Sequence, residues 1–288
     1  MIVFVNGSFV PEEQATISVF DRGWLYGDGL FETILIRGGR PFRWADHLRR
    51  MREGAGLLRI ELPPGDLRGI LAELVRGNQC EDGVARITLT RGRGLRGYSP
   101  RGADTPSLTM SLHPAPATRS PAHSWNVILA STRVWSGDPL LRCKTCNKLP
   151  QILARAEADA AGADEAIFAN EAGDLTEGTS CNLFWIKAGR LWTAPVGTGI
   201  LPGITRNVIM ELALSMGLDC YEKAIHLEEA SHVDGMFLTL TSQGIAAVAS
   251  FNGTPLPESG ITTQLETAYS QLLMSKTDAD ALDWSDCD

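Results

Sequence analysis

Several short segments contain residue types that could bind or transform a small molecule. Lys144 stands in a polar turn before a helix predicted over 149–161, and alone it is more typical of a solvated surface charge. Cys143 and Cys146 flank it with the spacing of a redox or zinc motif, but no second cysteine pair or nearby histidine accompanies them. Gly203 introduces another predicted helix, whose first N–H groups and dipole favour an anion. An anion site is thus predicted, whereas the role of Lys144 depends on the rest of the sequence.

Five motifs occur in a fixed order along the chain and carry a family resemblance. They are Phe20-Asp-Arg-Gly23 with Tyr26-Gly-Asp-Gly-Leu-Phe-Glu-Thr33, His47-Leu-Arg-Arg50, Asp174-Leu-Thr-Glu177-Gly-Thr-Ser-Cys-Asn182-Leu-Phe-Trp185, Leu191-Trp-Thr193 and Gly199-Ile-Leu-Pro-Gly203-Ile-Thr-Arg206. Over about residues 1–250 the chain resembles the class IV (fold type IV) pyridoxal-phosphate enzymes. That group includes branched-chain aminotransferases, D-amino acid aminotransferases and aminodeoxychorismate lyases. The resemblance implies an α+β fold of two domains with pyridoxal 5'-phosphate between them.

The resemblance also implies how the reactive end of the cofactor is bound. Lys144 matches the lysine that holds the aldehyde as a Schiff base and later moves protons. Glu177 matches the carboxylate beside the ring nitrogen, where it keeps the ring protonated and electron-withdrawing. By residue type alone, a turn carboxylate at a strand end would be the more common interpretation of Glu177. In this motif the cofactor contact is favoured.

The cofactor phosphate has its own set of implied contacts. Ile204 and Thr205 begin the predicted helix after Gly203, so their N–H groups point towards a bound anion. Thr241 fits the matching hydroxyl contact at a neighbouring strand end. Arg50 resembles the phosphate-binding arginine of the first domain, and Arg49 is the alternative if the alignment shifts by one residue.

The resemblance leaves two reactions open. The Thr33 position and the Arg96-Gly-Tyr-Ser string favour a 4-amino-4-deoxychorismate lyase, which releases p-aminobenzoate and pyruvate for folate biosynthesis. In that reaction Thr33 would aid protonation of the leaving group and Arg96 would bind a substrate carboxylate. Tyr26 and Phe31 complete the predicted substrate site. The alternative is a class IV aminotransferase, in which Lys144 would serve transfer between a D- or branched-chain amino acid and a 2-oxo acid.

Two hypotheses from other classes are weaker. A binding or regulatory module that has lost the reaction is disfavoured, because the lysine, the glutamate and the phosphate-binding residues are all present. A redox protein built on Cys143 and Cys146 would need a reversible disulfide, and bystander thiols are the preferred interpretation. No metal site is predicted, and His47 is interpreted as structural.

The hydrophobic pattern predicts the elements that position these residues. Strands are expected at 2–5, 30–37, 84–91, 107–113, 127–131, 166–169, 182–186, 190–193, 236–241 and 245–250, and helices at 44–58, 66–76, 149–161, 205–216 and 261–274. The predicted organisation is a small N-terminal α+β domain (1–112), a proline-rich linker (113–121), a larger cofactor-binding domain (122–275) and an acidic, disordered tail (276–288). The resemblance implies a homodimer in which the 91–100 loop helps to close the partner's site.

Composition narrows the class of protein further. The 288 residues are 44% hydrophobic, enough for a sizeable core, and carry a formal net charge of -8. An acidic chain repels phosphate backbones, which disfavours nucleic acid as a partner. No segment approaches the length of an apolar membrane span, and neither an export signal nor a disulfide pattern is evident. A cytoplasmic enzyme without membrane contact is therefore expected.

Overall fold

The computed structural model describes residues 1–115 and 124–275, which fall into two units. The first contains 1–115 with Cys143–Asn147 and Ser275, and the second contains 124–142 and 148–274. The predicted linker (113–121) lies outside the described residues from 116 onwards, and the predicted tail (276–288) lies wholly outside them. The domain boundaries expected from the sequence stay a prediction.

A six-stranded antiparallel sheet forms the centre of the first unit. Its strands are β1 (Ile2–Val5), β2 (Ser8–Pro11), β3 (Gly29–Arg37), β4 (Arg40–Pro41), β5 (Gly83–Thr90) and β6 (Ser107–Pro114). Their order across the sheet is β2-β1-β6-β5-β3-β4. Asn6 and Gly7 both adopt positive φ and connect β1 to β2, as a two-residue hairpin turn requires.

Three helices belong to this unit: α1 (Arg22–Tyr26), α2 (Trp44–Leu58) and α3 (Leu67–Gly77). The predicted apolar stripe of α2 is real, since Trp44, Met51 and Ala55 are all buried. They pack with the inward residues of β3, among them Ile34, in a core that also includes Leu71 of α3. One face of β3 is therefore covered by helices, and Phe31, Thr33 and Leu35 point to its other face.

A larger mixed sheet forms the second unit. Its strands are β7 (Trp125–Val134), β8 (Glu165–Asn170), β9 (Leu175–Gly178), β10 (Asn182–Lys187), β11 (Arg190–Thr193), β12 (Cys220–Glu222), β13 (Gly235–Leu240), β14 (Gly244–Phe251) and β15 (Thr254–Pro255). The order is β12-β11-β10-β13-β14-β7-β8-β9, and β9 also pairs with β10. That second pairing closes six of the strands into a ring, with Glu177 of β9 opposite Asn182 of β10.

The helices of the second unit are α4 (Leu149–Ala160), α5 (Ile204–Ser215) and α6 (Gly260–Ser275). Inside the sheet the rings of Phe184 and Phe237 stack with their centroids 5.0 Å apart. The mixture of helices and strands in both units agrees with the predicted α+β class. None of the helices in the described ranges has the length and apolar character needed to cross a membrane.

Candidate functional site

Lys144 is positioned by backbone pairing with the first residues of β3. The Phe31 N–H donates to the Lys144 carbonyl (2.9 Å), and the Cys146 N–H donates to the Gly29 carbonyl (2.8 Å). The Lys144 Nζ lies 4.9 Å from the centroid of the Phe31 ring. The structure thus brings two predicted site residues together in the first unit, with the amine held beside an aromatic ring.

The face of β3 that carries Phe31 also carries Thr33, because alternate residues of a strand point to the same side. Arg86 of β5 stands opposite Thr33 in the register, and its guanidinium carbon lies 3.8 Å from the Phe31 ring centroid. Burial lowers the pKa of Arg86. Within residues 1–115 and 124–275 its side chain has no hydrogen bond or ion pair. Sequence analysis missed this arginine, whose only signal is its place in an otherwise uncharged strand.

On the other face of β3, the buried Glu32 carboxylate accepts hydrogen bonds from two residues of α2. Arg50 donates through Nε and Nη2, each at 2.8 Å, and His47 Nδ1 lies 2.7 Å from Oε2. Burial alone would raise the pKa of Glu32, but Arg50 and His47 lower it to about 2. Burial also lowers the pKa of His47, against the effect of Glu32. The predicted structural role of His47 is therefore the anchoring of Glu32.

The two candidate arginines of α2 differ sharply in environment. Arg50 is buried, with 7% of its side chain exposed, whereas Arg49 is 61% exposed and pairs with Asp46 at 2.8 Å. Because an α-helix has about 3.6 residues per turn, these adjacent side chains project about 100° apart around the helix axis. Arg50 is therefore the stronger candidate for a ligand contact, and the bidentate bond to Glu32 fixes the plane of its guanidinium.

In the second unit, Glu177 is held at the point where β9 meets β10. Its Oε2 accepts hydrogen bonds from Asn182 Nδ2 (3.1 Å) and from the Leu201 N–H (2.9 Å). Asn182 Nδ2 also donates to the Leu201 carbonyl (2.9 Å). Asn182 thereby fixes both the carboxylate and the segment that leads into α5. Sequence analysis quoted this asparagine in the motif but gave it no role.

The N-terminus of α5 provides backbone donors without a competing cap. Gly203 is the N-cap and has no side chain that could accept from the first turn. A β-carbon at Gly203 would lie 1.8 Å from Asn182 Oδ1, so only glycine permits this close approach. Ile204 and Thr205 follow and are both buried. The geometry gives the first turn the donors and dipole that bind a phosphate.

Thr241 lies directly after β13, which pairs with β10. Two residues before it, Thr239 is buried opposite Asn182 in the register. The Thr239 hydroxyl has no hydrogen-bond partner among the described residues. Sequence analysis did not select Thr239, because a threonine inside an apolar strand is common. Its unsatisfied hydroxyl makes Thr239 a further candidate contact for a bound molecule.

A buried carboxylate supports the turn between β9 and β10. Glu165 is 2% exposed and accepts from the Thr179 hydroxyl (2.7 Å) and from the Thr179 N–H (3.2 Å). Cys181 Sγ lies 3.7 Å from the other oxygen of Glu165. This interaction fixes the loop that joins Glu177 to Asn182. Glu165 was missed because its partners follow it by more than a dozen positions.

The remaining predicted residues lie near the 91–100 loop or at the cysteine pair. Tyr26 packs edge-to-face on Tyr98, with centroids 5.4 Å apart, and Arg96 is exposed. Neither Cys143 nor Cys146 is part of a disulfide, and burial raises the pKa of Cys143. No cluster of three or more potential metal ligands occurs in the described part of the chain.

The chain is similar in sequence and in structure to several known proteins. The family model described as amino-transferase class IV matches residues 29–251. A putative branched-chain-amino-acid aminotransferase of Methanocaldococcus jannaschii is 35% identical over 256 residues, which are 88% of each chain. A D-alanine aminotransferase of Bacillus licheniformis is 31% identical and covers 96% of this chain and 99% of its own. The crystal structure of 4-amino-4-deoxychorismate lyase from Pseudomonas aeruginosa superimposes with a TM-score of 0.84 at 32% identity, covering 93% and 98%.

The hydrogen-bonded group of Glu32, Arg50 and His47 makes the free energy of unfolding depend on pH. A carboxyl with a pKa of about 2 in the folded state and an ordinary value of 4.5 stabilises the fold above pH 4.5. That stabilisation, on the order of 3 kcal/mol, is lost as the pH falls through about 2. We expect Glu32→Gln to lower the melting temperature at pH 7 and to flatten its decline between pH 4.5 and 2.

Thermal unfolding followed by circular dichroism at pH 7, 4.5 and 3 measures this difference. The exposed Glu73, on α3, supplies the control: Glu73→Gln should keep the wild-type decline. If Glu32→Gln lost stability as steeply as the wild type over the same range, Glu32 would not be the group responsible.

Proposed function

The chain belongs to the class IV aminotransferase family, and we propose that it transfers an amino group between an amino acid and a 2-oxo acid with pyridoxal 5'-phosphate as cofactor. The family match confirms the resemblance and the fold type on which the sequence analysis relied. Both reactions of the family would use Lys144 and Glu177 alike. The observation that carries aminotransfer is the 35% identity to an aminotransferase over 88% of both chains.

The residues present fit this cofactor in the chemistry of their donors. Lys144 would hold its aldehyde carbon and Glu177 its protonated ring nitrogen. The phosphate would contact Arg50 and the first-turn N–H groups of α5 at Ile204 and Thr205, with hydroxyls from the residues Thr205, Thr239 and Thr241. When bound, the cofactor supplies an electron-accepting ring conjugated to the reacting carbon of the substrate.

The protein's own groups then perform three tasks. The Lys144 amine would remove the proton from the substrate carbon that bears nitrogen, hold it, and return it to a different carbon atom. Asn182 and Leu201 orient the Glu177 carboxylate so that the ring nitrogen keeps its proton. Phe31, beside the Lys144 amine, limits the freedom of that amine and excludes water from one side.

Arg86 supplies a cation for the substrate. It stands on the same sheet face as Phe31 and Thr33, its guanidinium and the Lys144 amine both lie near the Phe31 ring, and it has no anionic partner in the described ranges. A half-buried guanidinium in that condition favours a carboxylate ligand, which it can bind in a bidentate manner. Amino acids and 2-oxo acids both bring such a carboxylate.

The lyase is the second candidate function. The position of Thr33, on the open face of β3 and opposite Arg86, favours it, because a hydroxyl there could protonate a leaving group. The similarity to the Pseudomonas aeruginosa lyase points the same way. We propose further that the enzyme acts in the cytoplasm as a homodimer, as the family resemblance implies. The exposed apolar side chains of Phe20, Trp24 and Leu95 would supply part of the subunit interface.

The two functions predict different behaviour of the purified holoenzyme. An aminotransferase should convert to its pyridoxamine form when D- or branched-chain amino acids are added, and a 2-oxo acid should reverse the spectral change. A lyase should release p-aminobenzoate from 4-amino-4-deoxychorismate without any acceptor and without that change. Release of p-aminobenzoate with no spectral response to any amino donor would overturn the aminotransferase proposal.

Lys144 should carry the cofactor covalently. Reduction of the holoenzyme with borohydride, followed by peptide mass spectrometry, should locate the cofactor on the peptide that contains Lys144. Lys144→Ala should abolish both the adduct and turnover, by at least about a thousandfold, since a nucleophile and a proton carrier are lost together. Lys148→Ala, four positions away, is the matched control and should keep the adduct. An adduct on any other lysine would refute the assignment.

Arg86 should determine the affinity for the substrate carboxylate. We expect Arg86→Met to raise KM by about 10- to 100-fold, the loss of a charge-assisted hydrogen bond, while kcat changes less. Arg86→Lys should recover part of that loss. The exposed Arg190 provides the control Arg190→Met, with kinetics like the wild type. Steady-state kinetics with the best donor measure the effect, and an unchanged KM in Arg86→Met would exclude a carboxylate contact.

A further inference from the structure

Arg22 makes an unusual set of contacts with the 91–100 loop. Its side chain is only 4% exposed, although it begins the short helix α1 at the surface of the first unit. Nη1 donates to the carbonyls of Gly97 (2.8 Å) and Ser99 (3.2 Å), and Nη2 donates to the carbonyl of Tyr98 (3.1 Å). One guanidinium therefore binds three successive peptide units of the loop.

A carboxylate orients that guanidinium. Asp28 Oδ2 accepts from Arg22 Nε and from Arg91 Nε, both at 2.8 Å. Arg91 in turn donates to the carbonyls of Leu58 (2.7 Å) and Arg59 (2.9 Å) at the end of α2. Burial raises the pKa of Asp28, but the bonds from Arg91 and Arg22 hold it below its ordinary value. The base of the loop and Arg22 are thus tied to one ionised group and to α2.

Further contacts of Arg22 also hold the 91–100 loop against α1. The Arg22 N–H donates to the Gly92 carbonyl (2.8 Å), and the Arg22 guanidinium lies 5.1 Å from the Tyr26 ring centroid. A β-carbon at Gly94 would lie 2.9 Å from Arg22 Cδ, so the loop passes directly over the side-chain stem. Backbone, ring and guanidinium contacts together hold the loop from its first residue to Ser99.

We propose that Arg22 is a positioning residue for substrate recognition, which sets the course of the loop that carries Arg96. Arg96 lies between Gly94 and the three carbonyls that Arg22 binds, so its backbone is fixed on both sides while its side chain stays exposed. An arginine on a fixed backbone loses less conformational entropy when it binds a carboxylate. This inference rests on the proposed function, whose substrates carry a carboxylate, and on the sequence-based prediction that Arg96 binds one.

Arg22→Lys is the variant that tests the role. Lysine keeps the charge opposite Asp28 but cannot donate to Asp28 and three carbonyls from a planar fork. Two measurements on the purified holoenzyme follow: hydrogen–deuterium exchange of the peptide covering 93–101, and steady-state kinetics with the best carboxylate substrate. We expect exchange at least about tenfold faster and KM about tenfold higher, with kcat within about twofold.

Two further variants make the test selective. Arg76→Lys, at an exposed position of α3, is the matched control and should leave exchange and kinetics unchanged. Asp28→Asn removes the charge that orients Arg22 and should move exchange and KM in the same direction as Arg22→Lys. It keeps the inference testable if Arg22→Lys does not fold.

The exchange and kinetic measurements distinguish a failure of this inference from a failure of the proposed function. Unchanged exchange at 93–101 would overturn the positioning role whatever the enzyme's substrate. Faster exchange with unchanged KM would also overturn it, and so would a fall in kcat as large as the rise in KM. In either case the loop would have a structural role and no specific role in binding the substrate. A wild-type enzyme inactive towards every amino donor would refute the aminotransferase instead, and the exchange measurement would still decide whether Arg22 fixes the loop.

Discussion

The backbone pairing of β3 with residues Cys143–Asn147 is the constraint on which the first unit's chemistry depends. Two hydrogen bonds, at Gly29 and Phe31, fix the segment that contains Lys144. A lysine on a free loop would sample many rotamers and positions, whereas a strand-like segment gives its side chain a defined origin. The Phe31 ring then restricts the amine itself. The covalent and proton-transfer roles proposed for Lys144 both need that restriction.

The two faces of β3 carry two separate sets of polar groups. Glu32 points to the helices, where its carboxylate accepts hydrogen bonds from Arg50 and His47 and fixes the guanidinium proposed to contact the phosphate. Phe31 and Thr33 point the other way, where Arg86 adds a cation without an anion among the described contacts. Strand alternation alone produces this division, since neighbouring residues must face opposite sides.

The second unit holds the Glu177 carboxylate and the N-terminus of α5 in fixed positions. Asn182 connects the two, because its side chain contacts both Glu177 and the carbonyl of Leu201. The glycine at 203 is obligatory for this approach, as any β-carbon would collide with the amide oxygen. Beneath them Glu165 holds the intervening turn through Thr179. Rigid support of this kind keeps polar groups ready before a ligand arrives.

The sequence by itself determined the family, the α+β class and most helices and strands, because periodicity and turn residues are local signals. α2 matches its predicted bounds, whereas β9, β12 and α1 were not predicted, since each has five residues or fewer and little periodicity. Only the tertiary structure separated Arg50 from Arg49 and revealed Arg86, Glu165 and the contacts of Arg22 with the loop. Those features join residues from fourteen to more than seventy positions apart. Long-range contacts of this kind depend on chain topology and burial, which no local pattern encodes.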